Sequence, residues 1–259
     1  MSFTWAANYY SGMSAQSDLR AAINEGVAVG VVATLLDTVK VVRSLPRHLD
    51  AGGLVFIDSG AFAAFQKRDQ VDWNKVFTTY EIVMSQTEQP RGLSIVAPDV
   101  IGCQEKTLAL WEQHALRVRS WINRGARVIV PLQRGQLSAG AMLEHATRIF
   151  GTDRFCAGIP SNLEAMSGED CSTLYHHDFH VLGRVVVTPE LRVKLDALLA
   201  NNPDANYTSD ANWMRSRMRK ISVAMQGYRG QVHRNPHDTP RMWAVMEVLK
   251  NDPYGRKQA

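Results

Sequence analysis

Two segments decide the fold: LVFIDSGAF at residues 54–62 and LSIVAPDVIG at residues 93–102. Each is a short β-branched run that stops at an aspartate and a glycine-containing turn. Each is followed by residues patterned as a helix. A strand, a polar turn and a helix repeated in that order predict parallel strands joined by right-handed crossovers.

The same unit recurs along the chain. Strands are expected at Phe3–Tyr9, Val27–Ala33, Leu54–Ile57, Leu93–Ala97, Arg127–Leu132, Phe155–Ile159, His180–Val186 and Asn206–Ser209. Helices are expected between them, including Lys106–Asn123 and Ala139–Phe150. In the first of these, Leu108, Trp111, Ala115, Val118 and Ile122 form one apolar stripe at helical spacing. Eight repeats predict a closed (β/α)8 barrel of the TIM type, one domain over residues 1–259. An open doubly wound sheet is the alternative. No GxGxxG follows the first strand, so a dinucleotide site is not supported.

Composition agrees with one large globular domain. The chain has 259 residues, 45% of them hydrophobic and 21% charged. Its first residues lack a basic stretch followed by an apolar one, and its longest apolar run, Gly26–Leu36, is too short to cross a bilayer. A soluble, cytoplasmic protein without membrane partners is expected. Cys103, Cys156 and Cys171 are widely spaced, which encodes neither a disulfide framework nor a zinc knuckle. The net charge of +4 is uneven. Residues 211–259 carry ten Lys and Arg against three Asp and Glu, whereas the first 210 carry 19 against 22. A basic helical C-terminal segment on a slightly acidic body suits a polyanion, although a solvated helix face would show the same bias.

Barrel enzymes carry their chemistry on the loops after the strands. Those ends read Asp58-Ser59-Gly60-Ala61-Phe62, Pro98-Asp99, Gln133-Arg134-Gly135, Gly158-Ile159-Pro160 and Ser209-Asp210-Ala211. Three carboxylates and an amide are thus expected at one mouth. Any one aspartate there also fits a turn or helix cap, and Asp210 fits the N-cap of a helix over Ala211–Gln226. Clustering at successive strand ends favours catalysis. A carboxylate that attacks a ribosyl C1′, a second that moves a proton, and an Asp and Gln that read a purine edge would make a base-exchange site. Phe62 and Tyr9 are candidate stacking partners for a base.

The ordered series DSGAF, PDVIG, PLQRG, AGIPSN, HVLGR and SDANW resembles the tRNA-guanine transglycosylase superfamily, in the style of its short viral and bacterial members that insert 7-deazaguanines into DNA. The likeness spans roughly residues 54–215. It implies Asp210 as nucleophile, Asp58 as general acid/base, and Ser59, Gly60, Asp99, Gln133 and Gly158 as lining of the base pocket. It implies a cyano- or aminomethyl-7-deazaguanine as incoming base and no cofactor. The tRNA enzymes carry a CxCxxC…H zinc site after the nucleophile. No cysteine follows Cys171, and His233 and His237 lack partners, so no metal is expected. DNA is therefore the expected acceptor, as in a phage-type enzyme acting in the host cytoplasm, and tRNA is the alternative. Arg215, Arg217, Arg219, Lys220, Arg229, Arg234 and Arg241 are expected to hold phosphates. A hydrolase that releases guanine and a non-catalytic nucleic-acid-binding barrel are further alternatives.

Overall fold

A computed structural model describes residues 8–13, 16–36, 44–162, 165–183 and 187–211, with the single positions 221, 244, 247 and 248. Eight parallel strands close into a barrel in sequence order: β1 (Asn8–Gly12), β2 (Val29–Val32), β3 (Val55–Asp58), β4 (Leu93–Val96), β5 (Arg127–Pro131), β6 (Cys156–Pro160), β7 (Asp178–Leu182) and β8 (Asn206–Ala211). Helices α1 (Gln16–Asn24), α2 (Ser44–Asp50), α3 (Ala61–Lys67), α4 (Trp73–Ser85), α5 (Gln104–Asn123), α6 (Ala139–Phe150), α7 (Gly168–Ser172) and α8 (Pro189–Asn201) fill the crossovers. The (β/α)8 barrel expected from the repeats is the fold. No helix among the described residues is long and apolar enough to cross a membrane.

The period-two alternation of strands sorts the interior into two cores. Val29, Val31, Val55, Ile57, Leu93, Ile95, Val128, Val130, Ala157, Phe179 and Val181 face outward and pack with the helices in one cluster. Alternate residues point into the lumen, where Tyr10, Phe56, Val96, Ile129 and Cys156 form a second, smaller cluster. Outside the strands, Trp121 on α5 packs edge-on against Phe77 and Tyr80 of α4. This lays the apolar stripe of α5 against α4.

The lumen is unusually polar for such a barrel. At the strands' starting end, Arg127 grips Asp178 through two hydrogen bonds of 2.7 Å. Asn206 donates to the same carboxylate at 2.8 Å. Higher up, the fully buried His180 lies against Phe56, ring centroids 5.0 Å apart. Tyr10 and Ser94 hydrogen bond across the lumen at 3.0 Å.

Element boundaries differ from expectation most clearly at β1, at β7 and at Ala211. The described part of β1, Asn8–Gly12, runs three residues past the expected end at Tyr9, because its ladder pairs Asn8–Ser11 with Thr208–Ala211 and Ser11–Gly12 with Val29–Gly30. Residues 3–7 lie outside the described part. β7 starts two residues early and stops at Leu182, since Gly183 adopts φ 77° and turns the chain, while positions 184–186 are not described. Ala211, expected to open a helix, is the last residue of β8.

With side-chain exposures of only 15% and 14%, the Arg127–Asp178 pair cannot lose one partner cheaply. Arg127→Met is expected to cost about 3 kcal/mol in urea unfolding at pH 7, and adding Asp178→Leu should recover part of the loss. A single-variant cost below about 1 kcal/mol would show that the pair does not hold the barrel floor.

Candidate active site

Asp58 is the last residue of β3 and shares the inward parity of Phe56. The next two residues turn the chain sharply into α3. Gly60 sits at φ 83°, and a Cβ there would meet Thr34 Oγ1 at 3.0 Å and Val32 Cγ1 at 3.1 Å. Ser59 is buried, and its Oγ accepts from the Ala61 N–H at 3.2 Å, so it builds the turn. Backbone N–H groups of Gly60 and Ser59 also reach the Asp58 carboxylate. Asp58 is therefore both the turn residue and an ionisable group at the mouth.

Asp99 lies in the loop after β4, 4% exposed. Helix α5 pins this loop from behind. Trp111 Nε1 donates to the Pro98 carbonyl at 3.0 Å, and Thr107 Oγ1 accepts from Val100 N–H at 3.0 Å. Across the loop, Gln133 Nε2 donates to Asp99 Oδ2 at 2.9 Å, and Gln133 Oε1 accepts from the Gly102 N–H at 2.9 Å. A backbone N–H can only donate, which settles the amide orientation and turns its NH2 toward Asp99. Gln104 completes the frame by donating to the Gln133 carbonyl at 3.0 Å and accepting from Leu137 N–H at 2.9 Å.

Asp210 stands on β8, beside Tyr10 of β1 in the ladder. Its Oδ1 accepts from Gly183 N–H at 2.9 Å and faces His180 Nε2 at 3.1 Å. The three carboxyls influence one another. Burial, with the charge of Asp210 added, pushes Asp58 up to about 6, against the hydrogen bonds from Gly60 and Ser59. Burial, with the charge of Asp58 added, pushes Asp99 up to about 7, against the hydrogen bond from Gln133. Asp58 thus lies electrostatically between its two neighbours. Carboxyls of this kind hold protons near neutrality and are suited to proton transfer.

Asp58, Asp99, Gln133 and Asp210 all lie at the carboxyl ends of strands, as the sequence led one to expect. Gly158 lies in β6 with its carbonyl tied to Leu132 N–H at 3.0 Å. A Cβ there would approach Ile129 Cγ2 and Pro131 Cα to 3.0 Å, so close packing explains this glycine. Phe62, 59% exposed on the first turn of α3, stands with the exposed Phe65 one turn later. The side chain of Tyr9 is outside the described part. Arg215, Arg217, Arg219, Lys220, Arg229, Arg234, Arg241, His233 and His237 also lie outside the described residues.

Three contributors carried no role in the sequence reading. Gln104 frames Gln133. Lys194 is fully buried, and its Nζ donates to the Pro160 and Asn162 carbonyls at 2.8 and 2.7 Å, fastening the loop after β6 to α8. Its signal was a lysine three residues after Leu191 on an apolar stripe. His180 is the third, a polar residue at an inward strand position within DFHVLG.

No protein-family model matches this sequence, and no curated protein sequence matches it either. Solved structures do resemble the fold. A protein assigned as a fructose-1,6-biphosphate aldolase from Coccidioides immitis is 12% identical, with TM-score 0.53 over 94% of this chain and 90% of that one. An L-ribulose 3-epimerase is 12% identical, with TM-score 0.49 over 93% and 91% of the two chains. A D-allulose 3-epimerase from Methylomonas sp. is 9% identical, with TM-score 0.48 over 96% and 99%. The likeness to the aldolase speaks for the barrel alone, because barrels host many chemistries.

The raised carboxyls have a consequence for stability. Their folded-state values exceed the unfolded value near 4, so the folded chain binds more protons between about pH 4 and pH 7. Their contribution is present at low pH and is lost as pH rises through that window. Asp99→Asn retains an acceptor for Gln133 and removes the buried charge. It is expected to unfold about 2 kcal/mol less readily than the parent at pH 8, with the gain fading below pH 4. An equal gain at both pH values would assign the effect to something other than ionisation.

Proposed function

We propose that this barrel is a transglycosylase that exchanges guanine in DNA for a 7-deazaguanine, such as its cyano or aminomethyl form, through a covalent aspartyl-glycosyl intermediate. The observation that carries the reading is the trio of carboxyls with unlike surroundings. Asp210 is held by two donors on one oxygen, Asp58 is raised to about 6 by burial and by the charge of Asp210, and Asp99 is buried against an amide. Catalytic assignments separate in this way when neighbouring environments push ionisable groups apart.

In the proposed cycle, Asp210 attacks C1′ of a 2′-deoxyguanosine. The C1′–N9 bond breaks, and the departing guanine takes a proton from Asp58. The incoming 7-deazaguanine then loses its N9 proton to Asp58 and attacks C1′ through N9, releasing the Asp210 carboxylate. Two displacements at C1′ give net retention, the two-step logic of retaining glycosidases. Asp99 accepts from the N1–H and amino group of the base, and Gln133 turns its remaining N–H toward O6. The target nucleotide must leave the stack to reach the mouth, and Phe62 offers an exposed face for it. Such an enzyme would act in the cytoplasm, on phage or cellular DNA.

Incubation with labelled guanine and either duplex DNA, single-stranded DNA or tRNA tests the reading. Label is expected in DNA, together with a covalent protein–DNA species lost in Asp210→Asn. Turnover should fall at least 1,000-fold, roughly, in Asp210→Asn and about 100-fold in Asp58→Asn. Label in tRNA would move the acceptor, and abasic sites without label would make the protein a hydrolase. An adduct that persists in Asp210→Asn would overturn the assigned nucleophile.

The basic segment has a separate check. Arg217→Glu with Arg219→Glu should weaken DNA affinity and reduce its salt dependence by about two counterions, leaving free-base binding intact. Unchanged affinity removes that segment from the DNA interface.

A further inference from the structure

We propose that His180 is a positioning residue for Asp210, held as the Nε2–H tautomer by Thr208 so that it donates to Asp210 Oδ1 and leaves Oδ2 as the attacking oxygen. The inference deepens the base-exchange reading and rests on it for the word attacking; the position of the proton on the ring stands by itself.

The argument begins at the barrel floor. Arg127 is donor-only, and its Nη2 lies 2.8 Å from Thr208 Oγ1. The threonine oxygen therefore accepts from Arg127 and has one proton to give. It has two acceptors in reach: His180 Nδ1 at 2.7 Å and the Phe179 carbonyl at 3.3 Å. Geometry favours the shorter contact. The far side of the ring agrees. A carboxylate at Asp210 only accepts, so Nε2, 3.1 Å away, must bear a hydrogen. A neutral ring with its hydrogen on Nε2 has a bare Nδ1, which is what the threonine hydroxyl needs. Every donor in the line Arg127, Thr208, His180, Asp210 then points the same way, up the lumen toward the mouth.

The ring has no freedom to escape this order. It is fully buried, stacked on Phe56 and tilted against Tyr10 with centroids 6.1 Å apart. Burial holds it below the ordinary imidazole range, against the pull of the Asp210 carboxylate, with Arg127 and Asp178 the other charges bearing on it. A neutral ring is thus the working form. The Gly183 N–H falls on Oδ1 as well, at 2.9 Å. Both donors occupy one oxygen, and no described residue hydrogen bonds Oδ2, although the Asp210 side chain is 26% exposed. A carboxylate anchored by one oxygen presents the other in a fixed direction, the kind of orientation that converts proximity into rate.

The first arm of the test needs no substrate. In long-range 1H–15N spectra of the full chain labelled with 15N-histidine, the His180 signal is identified by its loss in His180→Gln. At pH 7 it should show a protonated Nε2 and a bare Nδ1. Thr208→Val should leave the hydrogen on Nε2 but strip the hydrogen bond from the bare Nδ1, moving its 15N signal toward that of a free pyridine-type nitrogen, and Thr208→Ser should restore it. An Nδ1–H ring or an imidazolium in the parent protein, or no change in Thr208→Val, overturns the proposal. The second arm follows covalent adduct formation with a guanine-containing DNA oligonucleotide. His180→Gln keeps a donor toward Asp210 and is expected within about tenfold of the parent, whereas His180→Leu should lose about 100-fold in kcat with KM unchanged. Equal rates for Leu, Gln and His overturn the positioning role. Absence of any adduct with the parent protein refutes base exchange on DNA, and the spectra still decide the tautomer.

Discussion

A barrel of eight strands directs every second side chain into a space too narrow for bulk water, so whatever enters it must be apolar or fully partnered. That constraint governs the rest of the molecule. Phe56, Val96, Ile129 and Cys156 meet it as apolar side chains. Others meet it by joining end to end: Asn206 and Arg127 close on Asp178 at the floor, Arg127 reaches Thr208, Thr208 meets His180, and His180 meets Asp210. A charged pair at one end is thus connected to a carboxyl at the other by contacts of 3.1 Å or less.

The mouth follows a different rule. There, acids are brought together without cationic partners among the described hydrogen bonds. Each carboxyl leans on neutral donors instead: backbone N–H groups at Asp58, an amide at Asp99, a backbone N–H and the ring at Asp210. Neutral donors orient an acid without discharging it, so burial, with the repulsion between neighbours added, raises Asp58 and Asp99. The floor is built for cohesion, and the mouth keeps its acids responsive.

The fold was legible because two periodicities reinforced each other. β-branched runs such as 93–96 alternated with helical stripes such as that of α5, and the aspartates fell where strands end. What escaped detection depended on parity and pairing. Whether a residue of a strand faces lumen or helices is fixed by register, and a single sequence carries no register. His180 and Thr208 therefore passed as strand residues. The C-terminal end of β1 was missed because Ser11 and Gly12 have weak strand character, although both pair with β2. Gln104 and Lys194 were hidden for a related reason: each lies on a helix, yet each acts on the loop of another unit.

The locked amide of Gln133 carries a selectivity of its own. Gly102 fixes its oxygen and Asp99 takes one hydrogen, so a single N–H is left to face an occupant. A molecule that sets a carbonyl against that N–H completes the set. A molecule that sets an amino group there brings two donors together, and neither can rotate away without breaking the contact to Gly102 or to Asp99. Stranding a donor in such a corner costs about 1–3 kcal/mol, or roughly ten- to a hundredfold in occupancy. The corner discriminates by exclusion, and the residue enforcing it is Gly102, whose only instrument is a backbone N–H.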